Sequence, residues 1–141
     1  MPHDSARLED TRAWLTKARL DLEAGEFDLT ATPPFSAASV FHAQQAVEKA
    51  LKGYLAWHDE PFRKTHNLTE LGEQVARLDP SLGTLLARAS QLTEYAWRYR
   101  YPGEPMEPDR EEAQKALGLA RDVWREILGL LPEEAQPGER A

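Results

Sequence analysis

Residues 36–58, SAASVFHAQQAVEKALKGYLAWH, place apolar side chains at three- and four-residue intervals over six turns. No other pattern in the chain restricts its folding more tightly. At about 100° per residue, Val40, Val47, Leu51 and Tyr54 share a centre line. Ala43, Ala50 and Trp57 lie on one flank, and Leu55 and Phe41 on the other. The apolar arc therefore covers about half the circumference, which predicts a helix covered on two sides, by its own bundle and by a second copy. The rest of the chain repeats the helical period and shows no run of alternating β-branched residues. Leu8, Thr11, Leu15, Ala18 and Leu22 predict a first helix from about Ser5 to Ala24, with Gly25 as its stop. Asn67, with Glu70 three residues later, predicts a short helix opening in a capping box. A helix from Asp79-Pro80-Ser81 carries Leu82, Leu85, Leu86, Ala89, Leu92 and Ala96, and a last one runs from Asp109 to Leu131. The expected architecture is all-α: an up-and-down antiparallel bundle of four long helices plus one short helix, in a single domain over residues 5–131. Residues 132–141, EEAQPGERA behind Pro132, are expected to form a disordered tail.

Composition narrows the chemistry. The chain has no cysteine, which removes disulfides, thiol nucleophiles and thiolate metal sites. The opening MPHDSARLEDTRAWL lacks the basic-then-apolar order of a secretory leader, so a cytoplasmic location is expected. The four histidines show no metal-ligand spacing, and no glycine-rich phosphate loop or nucleophile elbow is present. No metal or cofactor is expected. Acids outnumber bases 24 to 17, for a net charge of -7, which argues against broad, non-specific nucleic-acid binding. A local basic site is compatible with that balance, and EYAWRYRYPGEP, residues 94–105, is the one candidate. Arg98 and Arg100 offer a phosphate fork, with Tyr101 as a stacking ring and Trp97 as a second. The alternative is a helix end whose cations suit the dipole and whose rings cap the core.

Two further groups stand out. Glu48 falls inside the apolar arc of residues 36–58, so it needs a partner. Lys52 is the local choice, and an arginine from another helix, Arg98 or Arg100, is the better expected one. Gln45, Lys49 and Lys52 on the polar stripe are open to a ligand, a dimer contact or solvent. His66 either contacts a nucleotide near Arg100 or bonds to backbone just before the short helix, the latter being the expected state. Arg63 and Lys64 beside it read as exposed loop charges.

Taken together, FHAQQAVEKALKGYLAWHDE, then THNLTEL, then RYPG resemble, in order and spacing, the HEPN domain family over roughly residues 10–131. The resemblance implies a helical bundle, commonly a homodimer, that binds nucleotide or RNA. It also implies pairing with a small nucleotidyltransferase encoded nearby, as in a toxin–antitoxin pair, with Tyr99 and Tyr101 the nearest residues such a partner could modify. Binding would then fall to Arg98, Arg100 and Tyr101, with His66 and Lys49. The ribonuclease branch of the family sets a His after an Arg here, with four to six residues between the two. In this chain those positions hold Gly103, Glu104 and Pro105 after Arg98, or Pro105, Met106 and Glu107 after the next arginine. The resemblance therefore implies binding without a complete catalytic pair. Its alternatives are a metal-independent ribonuclease in which His66 substitutes, and a purely structural module.

Overall fold

Four of the five expected helices form, and the expected fourth long helix breaks up. The computed structural model describes residues 5–103 and 106–138, in which five α-helices and no strand occur. They are α1 (Ser5–Asp28), α2 (Ser36–Trp57), α3 (Leu68–Leu78), α4 (Gly83–Ala89) and α5 (Arg110–Gly129). α2 is the central element: Val40, Ala43, Val47, Ala50, Leu51 and Leu55 are almost fully buried, as are Gln44, Glu48 and Lys52 from its wide arc. α1 lies antiparallel along it, with Gly25 against Ser39 at one end and Gly53 against Leu15 at the other.

Gly25 does not stop α1, which continues to Asp28. A Cβ at that position would lie 2.6 Å from Leu117 Cδ2 and 3.3 Å from the Ser39 carbonyl oxygen. The glycine thus lets α1, α2 and α5 meet, and Ser39 Oγ donates to the Gly25 carbonyl at 2.9 Å. Asn67 caps α3 as expected, its side chain accepting from the amides of Thr69 and Glu70. Glu70 does not complete a capping box, because its Oε1 accepts from Arg63 Nε at 2.8 Å.

The fourth long helix is replaced by three short pieces. A 3₁₀ turn, Pro80–Leu82, leads into α4, and a 3₁₀ stretch, Ser90–Ala96, follows it. The buried residues explain the change. From Leu86 they recur every third position at Ala89, Leu92 and Tyr95, with Ala96 buried beside the last; a spacing of three is the period of a 3₁₀ helix and drifts off one face of an α-helix. Ser90 Oγ also donates back to the Ala87 carbonyl at 2.6 Å, a local bond that competes with the helical ladder.

The segment after Pro132, expected to be disordered, packs on the bundle through residue 138. Glu133–Ala135 forms a 3₁₀ turn with Ala135 fully buried. Gln136 Nε2 donates to the Leu128 and Leu131 carbonyls at 2.9 and 3.2 Å. Arg12 and Arg19 of α1 donate to the carbonyls of Glu134 and Gly138. Residues 139–141 of that expected tail lie outside the described residues.

Candidate functional site

One stripe of α2 carries the polar chemistry. Phe41, Gln45, Glu48 and Lys52 follow one another at four- and three-residue spacing, so their side chains share a face. Glu48 is only 3% exposed and its partners are not arginines. Lys52 Nζ stands 3.0 Å from Oε2, while His66 Nδ1 at 2.6 Å and Gln44 Nε2 at 3.2 Å both meet Oε1. The physical reason lies in the surroundings of Lys52. Its ammonium sits 5.5 Å from the Trp14 ring centroid and 5.8 Å from that of Phe62, so ring faces replace part of its lost hydration. A cation one turn away, already sheltered in this way, leaves no vacancy for Arg98 or Arg100.

His66 is held by its ring, not through the backbone contact expected of it. A carboxylate that already accepts from Lys52 and Gln44 offers only acceptor capacity. The proton on His66 Nδ1 is therefore assigned to the bond with Glu48. The His66 side chain is 68% exposed. The His66 carbonyl accepts from Gln44 Nε2 at 3.1 Å, and the next helix is tied down by Leu68 N–H to Thr93 Oγ1 at 3.1 Å. The histidine loop is thus fixed to α2 on one side and to the Ser90–Ala96 stretch on the other.

The basic–aromatic stretch divides. Arg98 turns back one turn to Glu94, 2.8 Å away, and lies 5.0 Å from the Tyr99 ring centroid. Tyr99 in turn stacks on Tyr95. The Tyr95 hydroxyl donates to Glu112 at 2.9 Å; burial first, then that bond and the Glu112 charge, push its pKa far above the usual phenol value. Arg100 does the opposite. Its guanidinium lies 4.5 Å from the Phe41 ring centroid on α2 and donates to the Ala96 carbonyl at 3.2 Å. It meets no carboxylate among the described residues. Trp97 and Tyr101 beside it are 56% and 67% exposed. The seven residues from Phe41 to Glu48 rise about 10 Å, so Arg100 and His66 occupy one face of α2, two turns apart.

Lys49 does not join them. It points to the α1 side, 2.5 Å from Asp21, whose other oxygen meets His42 Nδ1 at 2.9 Å. Burial raises the Asp21 pKa, but the hydrogen bonds and charges of His42 and Lys49 outweigh it and hold the carboxyl below its usual value. The positions five to seven residues after the two arginines are only partly described. Gly103 is described with a positive φ of 106°, while Glu104 and Pro105 lie outside the described residues. No group of three His, Asp or Glu side chains among the described residues could hold a metal ion. The residue that sequence reasoning missed is Phe41. It reads as one more flank of an apolar arc, and its position one face-repeat before Glu48 is the signal that could have found it.

The family model of the HEPN domain matches residues 11–130. The chain belongs to the HEPN domain family. No curated protein and no solved structure matches it. The matched stretch of this HEPN domain opens in α1 and closes just after α5, taking in α2, the His66 loop and the Arg98–Tyr101 segment. The C-terminal turn on the bundle lies beyond it. No helix among the described residues is long and apolar enough to cross a membrane.

Proposed function

We propose that this HEPN domain binds a nucleotide or an RNA strand on the α2 face between Arg100 and His66. The observation that carries the reading is Arg100, a guanidinium seated on the Phe41 ring with no acidic partner among the described residues. In a chain of net charge -7, an arginine left without a carboxylate is set up to take an anion from outside. The exposed rings of Trp97 and Tyr101 give a base two faces to stack on. Gln45, half-buried between Phe41 and Glu48, adds amide hydrogen bonding. Arg98 is a secondary contact that must first leave Glu94, and Lys49 serves the α1–α2 contact instead of the ligand.

In this reading the helices make an up-and-down bundle, the protein is a cytoplasmic homodimer, and it acts with a nucleotidyltransferase partner as a toxin–antitoxin-like pair. The exposed Phe27 and Phe35 at the α1–α2 end support a protein contact there. Thermal unfolding across ATP, GTP, their monophosphates and a short RNA tests the site. A ligand at 100 times its dissociation constant adds about 2.7 kcal/mol. Arg100→Ala is expected to abolish that shift, and Arg98→Ala to keep most of it with little change in the unliganded melting temperature. A flat panel for the wild-type protein refutes the reading. Co-purification with the product of the neighbouring open reading frame tests the partner.

A further inference from the structure

The polar side chains of the α2 face form a relay whose polarity is set at one end. Glu48 is buried and bonded to Lys52 Nζ through Oε2, so its Oε1 has only acceptor capacity to offer. Gln44 Nε2 lies 3.2 Å from that oxygen and 3.1 Å from the His66 carbonyl oxygen. Facing two acceptors, this end of the Gln44 amide must carry the protons. Its carbonyl is thereby turned the other way, where it accepts from Gln45 Nε2 at 2.7 Å. Glu48 Oε1, 3.5 Å from the same nitrogen, takes up the second Gln45 proton. Flipping either amide would set oxygen against oxygen.

One atom of the relay is left over. Gln45 Oε1 accepts from nothing among the described residues and stays open to solvent. Gln45 is four residues after Phe41, so it stands about 6 Å of helical rise from the ring that carries Arg100. The face therefore presents, one turn apart, a guanidinium that can only donate and a carbonyl that can only accept. A nucleotide with its phosphate on Arg100 brings its base to Gln45. Adenine and cytosine offer an exocyclic amino group there, which donates, where hypoxanthine and uracil carry a keto oxygen, which accepts. A keto oxygen set against Gln45 Oε1 loses its water and finds no donor, because the amide protons of Gln44 and Gln45 are already spent.

Given ligand binding on this face as proposed above, we infer that Gln45 determines its specificity, selecting bases with an exocyclic amino group over their keto counterparts. Gln44 and Glu48 act behind it as positioning residues that keep the carbonyl outward. Gln45 is half-buried, so the preference is that of one partly solvated hydrogen bond, roughly tenfold in affinity.

The test titrates the full chain by calorimetry with two matched pairs, AMP against IMP and CMP against UMP. A short all-C strand against an all-U strand repeats the comparison on RNA. The amino member of each pair is expected to bind roughly tenfold more tightly. Gln45→Leu removes the oxygen and keeps the stem, and should bring both members of a pair to one affinity, while Arg100→Ala weakens all of them. The melting temperature of each variant checks its fold, and the wild-type pairs decide without any variant. Equal, Arg100-dependent affinity within either pair overturns the inference and leaves the binding reading standing. So does a preference for the keto member, which would mean that the amide presents its protons. A preference that survives Gln45→Leu overturns it as well, by assigning the selection to another group. Wild-type protein that binds no member of either pair and neither strand overturns both.

Discussion

The burial of Glu48 with Lys52 makes a strong claim about stability. Replacing Glu48 with Leu leaves the Lys52 ammonium, 7% exposed, without the oxygen that stood 3.0 Å away. The flanking rings of Trp14 and Phe62 cannot replace a counter-ion at 5.5 and 5.8 Å. Breaking one side of such a pair costs about 3–5 kcal/mol, while swapping both sides for apolar groups of similar volume is close to neutral. Glu48→Leu alone is therefore expected to lower stability by about 3 kcal/mol or more, near 10 °C in melting temperature for a domain of this size. The double variant Glu48→Leu, Lys52→Met is expected to recover most of that loss. The coupling between the two positions should reach about 2 kcal/mol. Urea unfolding followed by far-ultraviolet circular dichroism measures all four corners of the cycle, with an unchanged m-value as the check that the unfolded state is common. Single-variant losses that simply add in the double variant would refute the argument, as would a Glu48→Leu loss below about 1 kcal/mol, since either result means the pair is solvated and independent.

Two other outcomes follow from the packing and the titratable groups. Gly25→Ala gains helix propensity of about 1 kcal/mol, but its Cβ would lie 2.6 Å from Leu117 Cδ2 and 3.3 Å from a backbone oxygen. A net loss is expected, whereas Gly118→Ala on α5, with nothing within 4 Å of the added carbon, should gain about 0.5–1 kcal/mol; thermal unfolding of both variants reads the contrast directly. His58 is held below its usual pKa by burial and then by the Arg7 charge, with Glu60 opposing. The unfolded chain thus takes up its proton first, so stability is full above about pH 6.5 and declines as pH falls through the window beneath it. His58→Gln should flatten that decline in unfolding free energies measured from pH 7.5 to 5.5.

How much of this was legible in the sequence depends on what each residue had to encode. The helices of residues 5–28, 36–57 and 110–129 follow from three-four spacing, because burial on one face is a property of the segment itself. Where α1 ends was not legible, since a glycine that stops a helix and one that admits a neighbouring helix look alike until Leu117 and Ser39 are in place. The break after Ala89 was legible in principle. Leu86, Ala89, Leu92 and Tyr95 repeat every third residue, but the α-compatible Leu82, Leu85 and Leu86 before them hid the change of period. In the site, the need for a Glu48 partner could be read from its place in the apolar arc. The identity of that partner could not, because the choice between Lys52, His66 and a distant arginine depends on the rings of Trp14 and Phe62 arriving from two other segments. For the same reason Arg98 and Arg100, two residues apart and alike in sequence, go to Glu94 and to Phe41 respectively.

The C-terminal turn carries a different kind of information from the helices. Arg12 and Arg19 hold it by the carbonyl oxygens of Glu134 and Gly138, groups that every amino acid presents alike. Replacing Glu134 with another residue leaves that attachment unchanged, while inserting or deleting one residue between Pro132 and Gly138 brings the wrong carbonyls to both arginines and withdraws Ala135 from its slot. Such a segment depends on count ahead of identity: substitutions in it keep the attachment, and changes of its length do not.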